Sequence, residues 1–422
     1  MRYNLVLMKR FTQVTGAIQW DTQSLGLGRL QDSRRLHPTT PGWCVPLFLL
    51  VLSAALLVQT CLATPFEWEF TGSMNHPRAY HTATNTATLL YDGRVLVAGG
   101  AGPRPGAFPF PGLVSAELYN PATGNWTVTG NLNDGRLLHT ATLLSDGRVL
   151  VAGGWPDHTD RGPLSSAELY NPFTGNWTRT VGMHVVRVGH TATLLYNRRV
   201  LVVGSQRGDP NSSELYDSTA GNWIVTGSTN TPRFGYHTAT LLINKMVLIA
   251  GGYDALNHIT ASAELYDSVA GIWTPTGSLA TERHDHTATL LPNGKVLVAG
   301  GSNDVGILAS AELYDPATGN WTPTGSLNVA RWRHTATPLC DGKVLVAGGT
   351  SQASAVASAE IYDPATGAWT LTGSLNNARA LHTATLLSRG FVLVVGGNSA
   401  GGGFLSSVEM YDPGPSSGTG CR

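Results

Sequence analysis

An all-β ring of seven four-stranded blades is the architecture expected from this chain, on three grounds. The first is composition: 422 residues with 50 Gly, 23 Pro and only 13% charged residues suit many tight turns between strands and disfavour a helical bundle. The second is a phrase, His-Thr-Ala-Thr, written seven times from His81, His139, His190, His237, His286, His334 and His382. The third is an incomplete repeat at each end, each supplying what the other lacks.

The chain divides in order as follows. Residues 1–42 are polar and basic; through Ala63 there are six Arg/Lys against two Asp/Glu, whereas the rest has 21 against 25. Residues 43–63, WCVPLFLLVLSAALLVQTCLA, carry no charge, and their apolar core of about 14 residues suits a signal peptide or signal anchor. The rest is therefore expected outside the cytoplasm, secreted or held at the cell surface, with membrane contact only through 43–63 if that segment is retained. Residues 64–413 form the ring, and 414–422 a flexible tail. A mildly acidic body without a basic run argues against nucleic acid as a partner.

Within the ring each unit reads as four strands. The first is HTATLL and the second RVLVAGG, joined by turns such as Asp146-Gly147 and Asn293-Gly294 that suit a two-residue hairpin. The third is SAELY and the fourth NWTPTG, after a Pro/Gly-bearing turn. Successive apolar positions in the first and second strands predict burial on both faces, as in sheets packed side by side around a ring. Six tyrosines, Tyr119 to Tyr362, are followed seven residues later by Trp; Tyr411 is not. Trp68 stands 13 residues before His81, the spacing of most other Trp–His pairs, so it begins a fragment lacking its own tyrosine. The strand around Trp68 is thus expected to complete the last blade.

Gly-Gly, Tyr and Trp at roughly 50-residue spacing resemble the kelch repeat over about Phe66 to Pro413. The resemblance implies a seven-bladed β-propeller. No Trp-Asp dipeptide ends the units, against the WD-type alternative.

Arg78, Arg136, Arg187, Arg233, Arg283, Arg331 and Arg379 precede the histidines by three or four residues, and a Glu stands two before each tyrosine. Strand direction puts both sets at one end of the ring. Two readings stand: structural ion pairs, or an arginine-lined mouth for acidic groups such as related kelch domains use. The second-to-third loops at that end vary in length and composition, and variable loops on a rigid scaffold commonly carry function. The candidate ligand surface is Arg104, Phe108, Phe110, Trp155, His158, Arg161 and Tyr253, with the arginine ring beneath.

No metal or other cofactor is expected, since histidines placed once per blade do not converge on one ion. Tyr80-His81 and Tyr236-His237 resemble a motif of copper-radical oxidases of the galactose oxidase type. That resemblance implies a carbohydrate-active oxidase, but the cysteine-linked tyrosine and the further histidine it requires have no counterpart. The leading expectation is a non-catalytic, extracytoplasmic scaffold for a protein or glycan ligand. Cys340 and Cys421 map to the short-loop end, where a disulfide is one possibility, and Asn125, Asn176, Asn211 and Asn320 stand in Asn-x-Ser/Thr triplets.

Overall fold

The computed structural model describes residues 66–81, 87–103, 112–156 and 162–414. The expectations for 1–42 and 43–63, and for all of the tail except Gly414, lie outside the described residues. So do residues 82–86, where the first phrase stutters.

Seven four-stranded antiparallel sheets make up the described chain, with three two-stranded ribbons in the loops. Blade 2 is representative: Thr140–Leu143, Val149–Ala152, Ala167–Asn171 and Asn176–Thr180 follow one another across the sheet. The register aligns Val149 with Tyr170, and Tyr170 with Trp177. In blade 7 the order is Thr383–Leu386, Val392–Val395, Val408–Tyr411 and then Trp68–Thr71 from the other end of the chain. Trp68 pairs with Tyr411 in the register Trp keeps with Tyr elsewhere. The two partial repeats therefore make one blade and shut the circle, as their spacing predicts.

The second strands are buried at all four core positions in every blade, for example Val149–Ala152. The first strands are not: Thr140–Leu143 is only half-buried beyond its first residue. This corrects the expectation of burial on both faces. First strands stand innermost and line a central channel, seen as cavities of about 350 Å³ above and 380 Å³ below. The apolar core lies between blades. Leu150 and Ala152 of blade 2, for example, pack with Val200, Val202, Tyr216 and Trp223 of blade 3.

The recurring tyrosines, tryptophans and histidines tie one blade to its neighbour. Every repeated tyrosine hydroxyl shares a hydrogen bond of 2.6–3.1 Å with a threonine ending the fourth strand of the preceding blade, including Thr372–Tyr411 and Thr71–Tyr119 around the closure. The Trp177 and Trp68 indoles donate to the Gly130 and Gly373 carbonyls, both at 2.8 Å. His190 Nε2 shares a hydrogen bond with Thr140 Oγ1 at 3.0 Å, and His81 closes the same series onto Thr383 at 3.1 Å. The first glycine of each pair has a steric reason. A Cβ on Gly348 would stand 2.5 Å from the Arg379 carbonyl and 2.7 Å from the His382 ring of the next blade. Ser205, in the second-glycine position of blade 3, is not among the positive-φ residues, so it carries a side chain there without that strain.

Candidate binding groove

At the variable-loop end, two residues that share each loop before a first strand behave differently. The repeated arginines point inward and are fully buried. Each pairs with the glutamate of its own blade at 2.5–3.1 Å. Arg331 is typical. Its Nη1 donates to the Gly348 and Ser358 carbonyls at 2.8 Å, and its Nη2 to Ser358 Oγ at 2.9 Å and Glu360 Oε1 at 2.8 Å. The glutamates also accept backbone N–H groups: Glu168 takes those of Asn133 and Asp134 at 2.7 and 3.0 Å. Burial pulls these guanidinium pKa values down, Arg233 to about 10, while the facing carboxylates oppose the shift. The arginine-lined mouth is thereby corrected: Arg78, Arg136, Arg187, Arg233, Arg283, Arg331 and Arg379 clamp loop to strand and offer nothing to solvent. Each charge is paired with a carboxylate and hydrogen-bonded, which offsets the cost of burying it, although the Nε groups of Arg136 and Arg233 have no hydrogen-bond partner among the described residues.

The seven histidines are likewise buried. Burial, with the neighbouring arginine second, holds His139, His237 and His334 near a pKa of about 3, so they are neutral.

The residue just before each histidine forms the rim of the channel: Tyr80, Leu138, Gly189, Tyr236, Asp285, Arg333 and Leu381. All have positive φ, between 51° and 63°. Six donate a backbone N–H to the carbonyl of the equivalent residue in the preceding blade at 3.1–3.4 Å, as Arg333 does to Asp285. The exception falls between Gly189 and Tyr236, where Arg233 stands four rather than three residues before its histidine. The Gln206 side chain packs against both Gly189 and Gly235 at this break.

Here the rim opens into a depression of about 730 Å³ over blades 3 to 6. Its wall is a run of rings. Tyr236 meets Tyr253 edge-on at 6.1 Å, Tyr253 lies 4.6 Å from His284, and His284 meets Trp332 edge-on at 5.8 Å between centroids. Asp285 Oδ2 sits 2.9 Å from His284 Nδ1, and its Oδ1 3.6 Å from Arg333 Nε. The Arg333 guanidinium lies 3.9 Å over the Trp332 ring. It makes no hydrogen bond among the described residues, and its Nε is a buried donor without a partner. Burial raises the Tyr253 pKa, with Asp285 and Tyr236 adding to the effect, so its hydroxyl keeps its proton at neutral pH.

Of the proposed surface, Tyr253 lines this depression. Trp155 sits at the root of the blade 2 loop, bridged to Leu137. Arg104, Phe108, Phe110, His158 and Arg161 lie outside the described residues. Sequence reasoning missed Tyr236 as a lining residue of this depression, and also Gln206, His284, Asp285, Trp332 and Arg333. The available signal was departure from the repeat: rim residues change chemistry from copy to copy inside an otherwise constant phrase.

The donors do not fit a copper centre. His81 and His237, the histidines of the two oxidase-like pairs, direct Nε2 to Thr383 and Thr191, both at 3.1 Å. No cluster of three or more His, Cys, Asp or Glu suited to a metal occurs among the described residues.

Comparison with known proteins agrees with the fold. A model of the Kelch motif matches residues 285–328 and 331–376. Spermatocyte protein spe-26 of Caenorhabditis elegans is 29% identical over 140 residues, which are 33% of this chain and 23% of that protein. Alpha-scruin of Limulus polyphemus is 31% identical over 127 residues, 30% of this chain and 13% of its own. Human Kelch-like protein 15 is 34% identical over 88 residues, 21% and 14% respectively. The matches thus span less than a quarter of these relatives' lengths. Among solved structures, a fungal alcohol oxidase of the AA5 family in complex with copper superposes with a TM-score of 0.66 at 20% identity, covering 82% of this chain and 76% of that one. At that identity the likeness is one of fold alone. The chain carries Kelch motifs at residues 285–328 and 331–376 and folds as a seven-bladed β-propeller of kelch-like repeats.

Proposed function

We propose that this propeller is a non-catalytic, extracytoplasmic binding scaffold that recognises a protein or glycan ligand on its variable-loop face. The kelch propeller is an interaction scaffold, and one observation directs the reading to a particular place on it. The repeated arginines, glutamates and histidines are engaged inside the framework, whereas the non-repeating Tyr253, Trp332 and Arg333 border an open groove. Rigid aromatic side chains lose little entropy on binding and are common binding anchors.

Two observations support a location outside the cytoplasm: the uncharged segment 43–63, and Cys340, which is disulfide-bonded. The partner cysteine lies outside the described residues. Fusing the chain to a phosphatase that is active only after export tests the location; a fusion that accumulates in the cytoplasm without activity would overturn it. Screening the protein against glycan and surface-protein arrays tests the binding role. The expected result is a saturable ligand whose binding is lost in Tyr253→Ala and Trp332→Ala variants that melt normally. Binding unaffected by either change would remove the groove from the reading. Copper-dependent oxidation of alcohols or sugars would replace the reading with an enzyme.

A further inference from the structure

Arg333 is the one feature of the groove that asks for a ligand of specific charge. A guanidinium presents a planar fork of donors that matches a carboxylate in two parallel hydrogen bonds. In Arg333 that fork makes no hydrogen bond among the described residues, and the guanidinium carbon lies 3.9 Å over the Trp332 ring. The one carboxylate nearby, Asp285, approaches from the Nε side at 3.6 Å and is also held by His284, leaving both Nη groups available. Arg207 lies across the groove, so the lining carries two cations against one carboxylate.

The remaining chemistry is that of sugar recognition. The half-buried Tyr253 ring lines the groove, backed at 4.6 Å by the buried His284 ring, and offers an aromatic surface for the C–H face of a pyranose. Gln206, Asn257 and Ser302 add short polar groups that can exchange hydrogen bonds with ring hydroxyls. Among the described lining residues only Ser302 stands in a strand, and it is paired on both sides, with Ile307 and His284, so an extended peptide finds no backbone partner there. A volume of about 730 Å³ lies within the usual range for small-ligand sites.

We propose that the groove over blades 3 to 6 binds an acidic oligosaccharide, seating a uronate carboxylate on Arg333 and a pyranose ring on Tyr253. This deepens the binding-scaffold reading and rests on it.

Titration calorimetry on the full chain tests it, with tri-galacturonic acid, its methyl ester and a glutamate-rich peptide as probes. The acid is expected to bind at least tenfold more tightly than its ester. Arg333→Met should weaken the acid by about 10- to 100-fold, leave the ester unchanged and keep the melting profile. Arg333→Lys should recover part of the loss, since the charge returns without the fork. Equal binding of acid and ester, or binding of the peptide and not the uronide, overturns the inference. If neutral glycans or a protein bind the groove while uronides do not, only this inference falls. If no class of ligand binds, the scaffold reading falls with it.

Discussion

Arg331 and Arg333 stand two residues apart on one loop, either side of Trp332. Arg331 is sealed inside blade 6, its guanidinium divided among Glu360, Ser358, Gly348 and Val329. The Arg333 side chain is a quarter exposed, lies on an indole, stands 3.6 Å from Asp285 and makes no hydrogen bond among the described residues. The first belongs to a set of seven that is identical in role around the ring; the second has no counterpart in any other blade. The same side chain thus serves as internal clamp or as free surface, according to whether its position repeats. Repetition marks what every blade needs in order to pack, and departure from it marks what only one sector of the face presents.

The contrast can be broken experimentally, and the largest effect should come from the buried side. Arg331→Met leaves Glu360 buried without its counter-charge and should cost about 3–5 kcal/mol in denaturant unfolding. Arg333→Met should cost less than about 1 kcal/mol. Equal losses would erase the distinction between clamp and surface.

Trp369→Ala should lie close behind Arg331→Met. It removes a ring 5.0 Å from Tyr362 and the indole hydrogen bond to Gly325 at 2.8 Å, and a cost of about 3–5 kcal/mol is expected. Trp332→Ala should leave the melting temperature nearly unchanged and act on binding. A melt of both variants checks the difference.

Gly348→Ala should destabilise by about 2 kcal/mol or more, because neither the Arg379 backbone nor the His382 ring can yield easily. Gly402→Ala, with nothing within 4 Å of the added methyl, should cost only the strain of its positive φ, about 1 kcal/mol. Comparable losses at the two sites would show that the inter-blade contact is less tight than its geometry.

Acid tests the buried histidines. Burial lowers His139, His237 and His334 to about 3 in the folded chain against about 6.5 when unfolded, and lowers the other four buried histidines in the same direction, so below about 6.5 the unfolded chain binds more protons. Their contribution is fully present above about pH 6.5 and is lost as pH falls toward 3. Unfolding free energy measured from pH 7 to pH 5 should therefore decline, with proton uptake on unfolding. A flat profile over that interval would mean that these rings are not held neutral by burial.

The repeat period, the turn dipeptides and the matched half-repeats were enough to read the blade count and the closure, since they record local and nearest-neighbour requirements that recur. Tyr, Trp and Gly-Gly could be assigned to packing for the same reason. The arginines were harder. Strand direction placed them at the correct end, yet whether a guanidinium turns inward to Glu360 or outward to solvent depends on contacts between segments about 30 residues apart. The first strands were misjudged similarly: apolar spacing does not distinguish a face against another blade from a face lining a channel.

From the order of residues alone came the ring, its seven sheets and the seam at Trp68 and Tyr411, because each follows from hydrogen-bonding and burial rules that act over a turn or a strand. The groove came only from the closed structure. Gln206, Tyr236, Tyr253, His284 and Arg333 are separated by up to 127 positions in the chain. Nothing short-ranged draws them together. They meet because closing the circle brings the loops of four successive blades to one rim, where the missing backbone bond between Gly189 and Tyr236 leaves an opening.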